Sequence, residues 1–149
     1  MSATLLAGIS RTTEPRTMLR RFLALDALVT GVNGLAYVTA SGPLGRLLGI
    51  DDTLLAGLGV FLALFGAGVG CLATRQQPPH PPVKAVVDAN LLWAVLSIAA
   101  LTLWFEPTTA GAVWIPLQAL TVAGFAVLQW AALRAATTDV MVVDRQGTV

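Results

Sequence analysis

The chain has 149 residues, 56% of them hydrophobic and 11% charged, where ordinary soluble domains run at about 45–50% and about 25%. So few charges cannot cover a soluble surface of this size, and most of the outside is expected to face a lipid bilayer. A net charge of +1 gives no pull toward nucleic acid, and the single cysteine, Cys71, excludes an intrachain disulfide and a cysteine-based metal site and reads as a small apolar helix residue.

Residues 1–20 are polar and basic, with no clear period, and are expected to form a cytoplasmic tail with a short interfacial helix near Pro15 to Met18. A cleaved secretory signal is the rival reading: Val38-Thr39-Ala40 has the small-residue spacing of a cleavage site, and Arg20-Arg21-Phe22-Leu23 echoes a twin-arginine signal. Against it, the apolar run Phe22 to Ala40 is longer than a usual signal core and carries Asp26 and Asn33.

The first span is that run, residues 22–40, long enough for a hydrocarbon core of about 30 Å. Ser41-Gly42-Pro43 ends it, and Leu44 to Ile50 is short and apolar and is expected to lie at the outer interface. Asp51-Asp52-Thr53 offers N-caps to a second span, residues 54–73, which is dense in glycine. Within it Gly66-x-x-x-Gly70 is a close-packing motif for neighbouring helices. The proline-rich link Thr74 to Pro82 cannot continue a helix. His80 within it has no acidic or thiol neighbour and reads as a solvated loop residue rather than a metal ligand. A third span over residues 83–105 follows, then the turn Glu106-Pro107-Thr108-Thr109. The fourth span covers residues 113–133, with Pro116 in its first turn, and residues 136–149 read as a frayed cytoplasmic tail.

These elements predict an all-α fold, a transmembrane four-helix bundle with residues 21–135 as its membrane domain. Eight of the nine Lys/Arg fall in the N-terminal tail, the middle link and the C-terminal segment. Arg46 alone falls in the other two links, so both termini are expected on the cytoplasmic side of a cell membrane. Leu25-Asp26-Ala27 echoes Val87-Asp88-Ala89 at matching places in the two halves, which suggests two repeated helical hairpins.

The candidate functional residues are polar side chains inside these spans. Asp26, Thr30, Asn33 and Tyr37 are spaced i, i+4, i+7, i+11, and fall within a band of roughly 60° on one helix face. Asp26 has no cation at neighbouring spacings on its own helix. Its two readings are a proton- or substrate-binding carboxylate and an orienting acid paired with Arg20, Arg21 or Lys84. Asp88 has Lys84 four residues before it and suits an interfacial ion pair; Asn90 and Ser97 lie on nearly the opposite face. Gln118 and Gln129, eleven apart, share one face of the fourth span, with Gln129 near the depth of Asp26. The expectation is one inward seam of Asp26, Thr30, Asn33, Tyr37, Asn90, Ser97 and Gln129, because such groups avoid lipid and find one another.

Missing motifs narrow the chemistry. There are no paired histidines, no Cys-x-x-Cys, no glycine-rich phosphate loop before a helix and no serine nucleophile elbow, so no metal or cofactor is expected. Three function classes remain. The leading one is a non-enzymatic membrane protein that packs against itself or a partner protein. The second is a proton-coupled or lipophilic small-molecule carrier using Asp26. The third is an intramembrane enzyme on an isoprenoid-like substrate with Asp26 as general acid, which requires a closed apolar pocket beside that residue.

The stretches Leu25-Asp26-Ala27-Leu28-Val29-Thr30-Gly31-Val32-Asn33-Gly34-Leu35, Gly42-Pro43-Leu44-Gly45 and Asn90-Leu91-Leu92-Trp93-Ala94 make the chain similar to a group of small, mostly uncharacterised four-span integral membrane proteins of high-GC actinobacteria. The resemblance covers about residues 20 to 135. It implies the four-span fold and no activity. Small multidrug transporters also carry an acid in the first of four spans, but the rest of their pattern is absent here.

Overall fold

The structure, a computed structural model, describes residues 15–146, with side chains through residue 138. The part of the expected N-terminal tail before residue 15 and the final residues 147–149 lie outside this range. The described residues form five helices: α1 (Pro15–Thr39), α2 (Ser41–Leu48), α3 (Asp52–Thr74), α4 (His80–Leu103) and α5 (Thr109–Gln146). Four of them, α1, α3, α4 and α5, are long and apolar enough to cross a membrane. The fold is an all-α bundle. The starts of α1 and α4 and the end of α3 share one end, here the base, and α2 lies at the other.

Helix limits follow local signals. Asp51 caps α3 by accepting the Leu54 N–H at 2.8 Å. Gly49 ends α2 at φ +72°, the left-handed backbone that glycine adopts without strain, and its N–H returns to the Gly45 carbonyl at 2.8 Å. Thr108 joins α2 to α5: its hydroxyl donates to the Leu47 carbonyl and accepts the Gly111 N–H, and its own N–H donates to the Leu48 carbonyl.

Three limits differ from the sequence reading. Residues 15–20 belong to α1 rather than to a tail, since Pro15 suits a helix start and nothing after it breaks the helix. Pro81 and Pro82 sit in the first turn of α4, where their missing N–H groups are no loss, so the link shrinks to residues 75–79. In α5 the helix begins at Thr109, which leaves Pro116 well inside it, and it continues through Gln146, so residues 136–146 are helical rather than a frayed tail.

The bundle is a ring of four spans in the order α3, α1, α5, α4. Small residues let α1 and α3 meet backbone to backbone. A Cβ on Gly34 would lie 2.5 Å from the Ala63 nitrogen, and one on Gly66 would lie 2.9 Å from the Gly31 nitrogen. Gly70, the other glycine of the expected motif, has room: a Cβ there would meet only the Ala27 methyl, at 3.7 Å. The close contact therefore runs through Gly34, Gly59 and Gly66.

An apolar layer closes the base with side chains from all four spans, among them Leu19, Leu23, Val69, Val83, Val86 and Leu133. Toward the α2 end the ring opens. The buried residues of α4 are Val83, Val86, Val87 and Asn90, all in its first half, and none follows Asn90. Beyond that point α4 diverges from α3, and the stacked rings of Phe61 and Trp93, 5.7 Å between centroids, bridge them. The two hairpins are thus not equivalent. Asp26 is fully buried in the first, whereas Asp88 in the second is exposed and paired with Lys84 at 2.7 Å.

Candidate functional site

Four spans that leave the base together must bury whatever their inward faces carry. Above the apolar layer α1 presents Asp26, the only buried acidic or basic side chain among the described residues. It is 0% exposed. An unpaired polar group in such a place is expensive, so its partners decide its meaning.

All of those partners are neutral. Asp26 Oδ1 accepts from the Thr30 hydroxyl at 3.1 Å, one turn on in α1. Its Oδ2 accepts from Asn90 Nδ2 of α4 and from Gln129 Nε2 of α5, each at 2.7 Å. The expected pairing with Arg20, Arg21 or Lys84 does not occur: the Arg20 guanidinium donates to the Ala73 carbonyl at the end of α3, Lys84 holds Asp88, and Arg21 is exposed. Those cations are at the base, where water and α3's free carbonyls serve them better than a buried carboxylate would. Gln129 Oε1 is buried with no partner.

The remaining seam residues divide. Tyr37, three turns beyond Asp26, donates its hydroxyl to Gln118 Oε1 at 3.0 Å and accepts from Trp114 Nε1 at 2.7 Å. Asn33 and Ser97 are half-buried and make no side-chain hydrogen bond with the described residues. Asn33 lines a cavity of about 100 Å³ between α1 and α5 with Thr30, Gln118 and Trp114. Ser97 lines a smaller space of about 50 Å³ beside Tyr37. The polar residues therefore form two separate clusters, one around Asp26 and one around Tyr37, instead of a single continuous seam.

Gln118 and Trp114 were absent from the expected seam. A signal for Gln118 was present. Asp26 and Tyr37 are eleven residues apart on α1, Gln118 and Gln129 eleven apart on the antiparallel α5, so one register satisfies both pairs.

The divergence of α4 leaves a lateral groove of about 290 Å³ between α3 and α4. Phe61, Phe65, Trp93 and Leu96 form its apolar walls, Asn90 of α4 lines it, and Thr30 and Val122 reach it from across the bundle. That volume is at the low end for a small-molecule site, and two polar groups in an apolar pocket suit orientation of a ligand. Asp26 itself borders neither the groove nor any of the three smaller cavities described. No group of three or more metal-binding side chains occurs among the described residues. The site can hold an apolar molecule and offer it a hydrogen bond; its carboxylate is sealed from any occupant.

Scans against family models, curated proteins and solved structures find no match to the chain.

Proposed function

We propose that this multi-pass membrane protein is a non-enzymatic binder of a lipophilic small molecule, which enters the α3/α4 groove from the bilayer. The observation that carries this reading is the end of α4's buried face at Asn90, which leaves a groove of about 290 Å³ with aromatic walls and a polar floor. Asn90 Nδ2 is held by Asp26, and no described residue donates to its Oδ1. An occupant with one hydroxyl or N–H and an apolar body answers that arrangement, since a hydrogen bond in an apolar site both orients and selects.

The acid has an architectural role in this reading. Besides Thr30 of its own helix, donors from α4 and α5 converge on it, and such interhelical hydrogen bonds in membranes contribute about 0.6 kcal/mol each on average. The enzyme reading calls for an acid open to an apolar pocket, which the sealing of Asp26 opposes. The same sealing weighs against a carrier that loads on this residue.

Orientation belongs to the proposal too. The basic residues Arg16, Arg20, Arg21, Arg75, Lys84 and Arg134 gather at the base, with Arg46 alone at the α2 end, which supports cytoplasmic termini in a cell membrane. Membership in the actinobacterial four-span group remains part of this reading on the residues quoted above.

The test is photolabelling of the protein in nanodiscs with a long-chain alcohol bearing a diazirine. Adducts concentrated on Phe61, Trp93 and Leu96, and lost in Ala89→Phe, which fills the groove, are the expected result. Labelling spread evenly over lipid-facing residues such as Leu64 and Leu120 would overturn the reading.

A further inference from the structure

A second pocket lies at the base and shares no lining residue with the groove. It holds about 150 Å³ between the start of α1, the proline link and the end of α5. Its polar lining is Arg16, Gln77, His80 and Thr137, and Leu19 and Leu133 form part of its apolar wall. The Arg16, Gln77 and His80 side chains make no hydrogen bond to any described residue, so three donors face this space with none of them spent internally. Thr137 gives its proton to the Leu133 carbonyl and keeps its oxygen as an acceptor. Among the described residues no acidic side chain lines the pocket. The acid at this end with a described exposed side chain, Asp88, is held by Lys84.

Depth identifies the ligand chemistry. Gly31 is the middle of the apolar run from Phe22 to Ala40, and Arg16 precedes it by fifteen residues, about 22 Å along a helix axis. Half of a hydrocarbon core is about 15 Å, and headgroups extend to about 20–22 Å from the midplane. A guanidinium there meets phosphate, which it binds with paired N–H donors. The apolar wall then continues downward beside the site, where the first carbons of a lipid would run.

We infer that this base pocket binds the phosphate of an anionic phospholipid, with Arg16 supplying the charge and Gln77 and His80 further donors. The lipid is a fixed partner of the bundle, holding the start of α1, the link and the end of α5 together.

Native mass spectrometry of the full chain in mild detergent tests it, with phosphatidylglycerol titrated against phosphatidylcholine. The expected result is one tightly retained phosphatidylglycerol, weakened about tenfold or more in Arg16→Gln, retained in Arg16→Lys, and unchanged in Arg46→Gln at the other end. Helical circular dichroism of each variant checks folding, and Gln77→Ala, in the exposed link, gives a milder loss without touching a helix. Equal retention by wild type, Arg16→Gln and Gln77→Ala would overturn the proposal. Glycerol phosphate or inorganic phosphate displacing the lipid at equal concentration would overturn the lipid as the source of the phosphate.

Discussion

Asp26 and Gln129 meet across the α1/α5 interface at 2.7 Å, and eleven residues along each helix Tyr37 meets Gln118 at 3.0 Å. The two helices are antiparallel, so a single register makes both bonds. Slipping α5 by one residue would break both at once and turn the polar groups of two turns toward lipid. That is a strong constraint for a membrane bundle, where apolar faces alone distinguish poorly between registers because lipid is as apolar as leucine.

Removing the acid is expected to be the most damaging polar substitution. Asp26→Ala leaves the Asn90 and Gln129 amides buried without an acceptor, at about 1–3 kcal/mol each. Asp26→Asn should be milder. Its amide keeps an oxygen for one donor and brings an N–H toward Gln129 Oε1, which is otherwise unpartnered. Unfolding by SDS in mixed micelles should rank wild type, Asp26→Asn and Asp26→Ala in falling stability, with groove labelling intact in folded Asp26→Asn. A folded Asp26→Asn that no longer takes the probe would return the acid to a functional role.

Tyr37→Phe removes one oxygen that serves two partners, Gln118 and Trp114. A loss of about 0.5–1.5 kcal/mol is expected. A double-mutant cycle with Gln118→Leu should show coupling, because replacing both ends of a hydrogen bond by apolar groups leaves less unsatisfied than replacing one. Additive losses would mean the bond contributes nothing.

Hydrophobic run lengths and link prolines were enough to set the number of spans and the all-α class, because a bilayer admits few alternatives. The depth of Asp26 and the faces of Asn90 and Gln129 were also legible, since helical period fixes direction around an axis. What sequence could not supply was which helices are neighbours. Without the ring order, Arg20 and Lys84 were reasonable partners for Asp26. In the fold Lys84 has its own acid one turn away and Arg20 finds α3's carbonyl end. Nor does any residue of α4 announce that its packing stops at Asn90: Leu92, Val95 and Leu96 look like core residues and are more than half exposed, since in lipid an apolar side chain needs no partner. The groove is a consequence of that divergence and has no motif.

Glycine positions offer a test of the α1/α3 contact. Gly59→Ala would put a methyl 2.8 Å from the Gly34 carbonyl oxygen and from the Tyr37 Cβ. Relief requires the two helices to separate, at about 1–3 kcal/mol. Gly68→Ala, on the same helix, meets nothing within 4 Å and should be neutral or slightly stabilising through helix propensity. Gly70→Ala should behave like Gly68→Ala. If Gly70→Ala destabilised as much as Gly59→Ala, the helices would be packed along the Gly66-x-x-x-Gly70 face instead.

The Lys84–Asp88 pair provides the contrast to Asp26. Both side chains are more than half exposed, 57% and 59%, and the pair spans one turn of one helix at 2.7 Å. Exposed pairs of this kind contribute about 0.3–0.5 kcal/mol. Asp88→Asn should therefore change SDS unfolding by no more than that, and added salt should erase the difference by screening. Asp26→Asn should be insensitive to salt, since no ion reaches a sealed carboxylate. A large, salt-independent loss in Asp88→Asn would mean that Asp88 is buried against something in the membrane, and would restore the likeness between the two hairpins that their unequal acids now break.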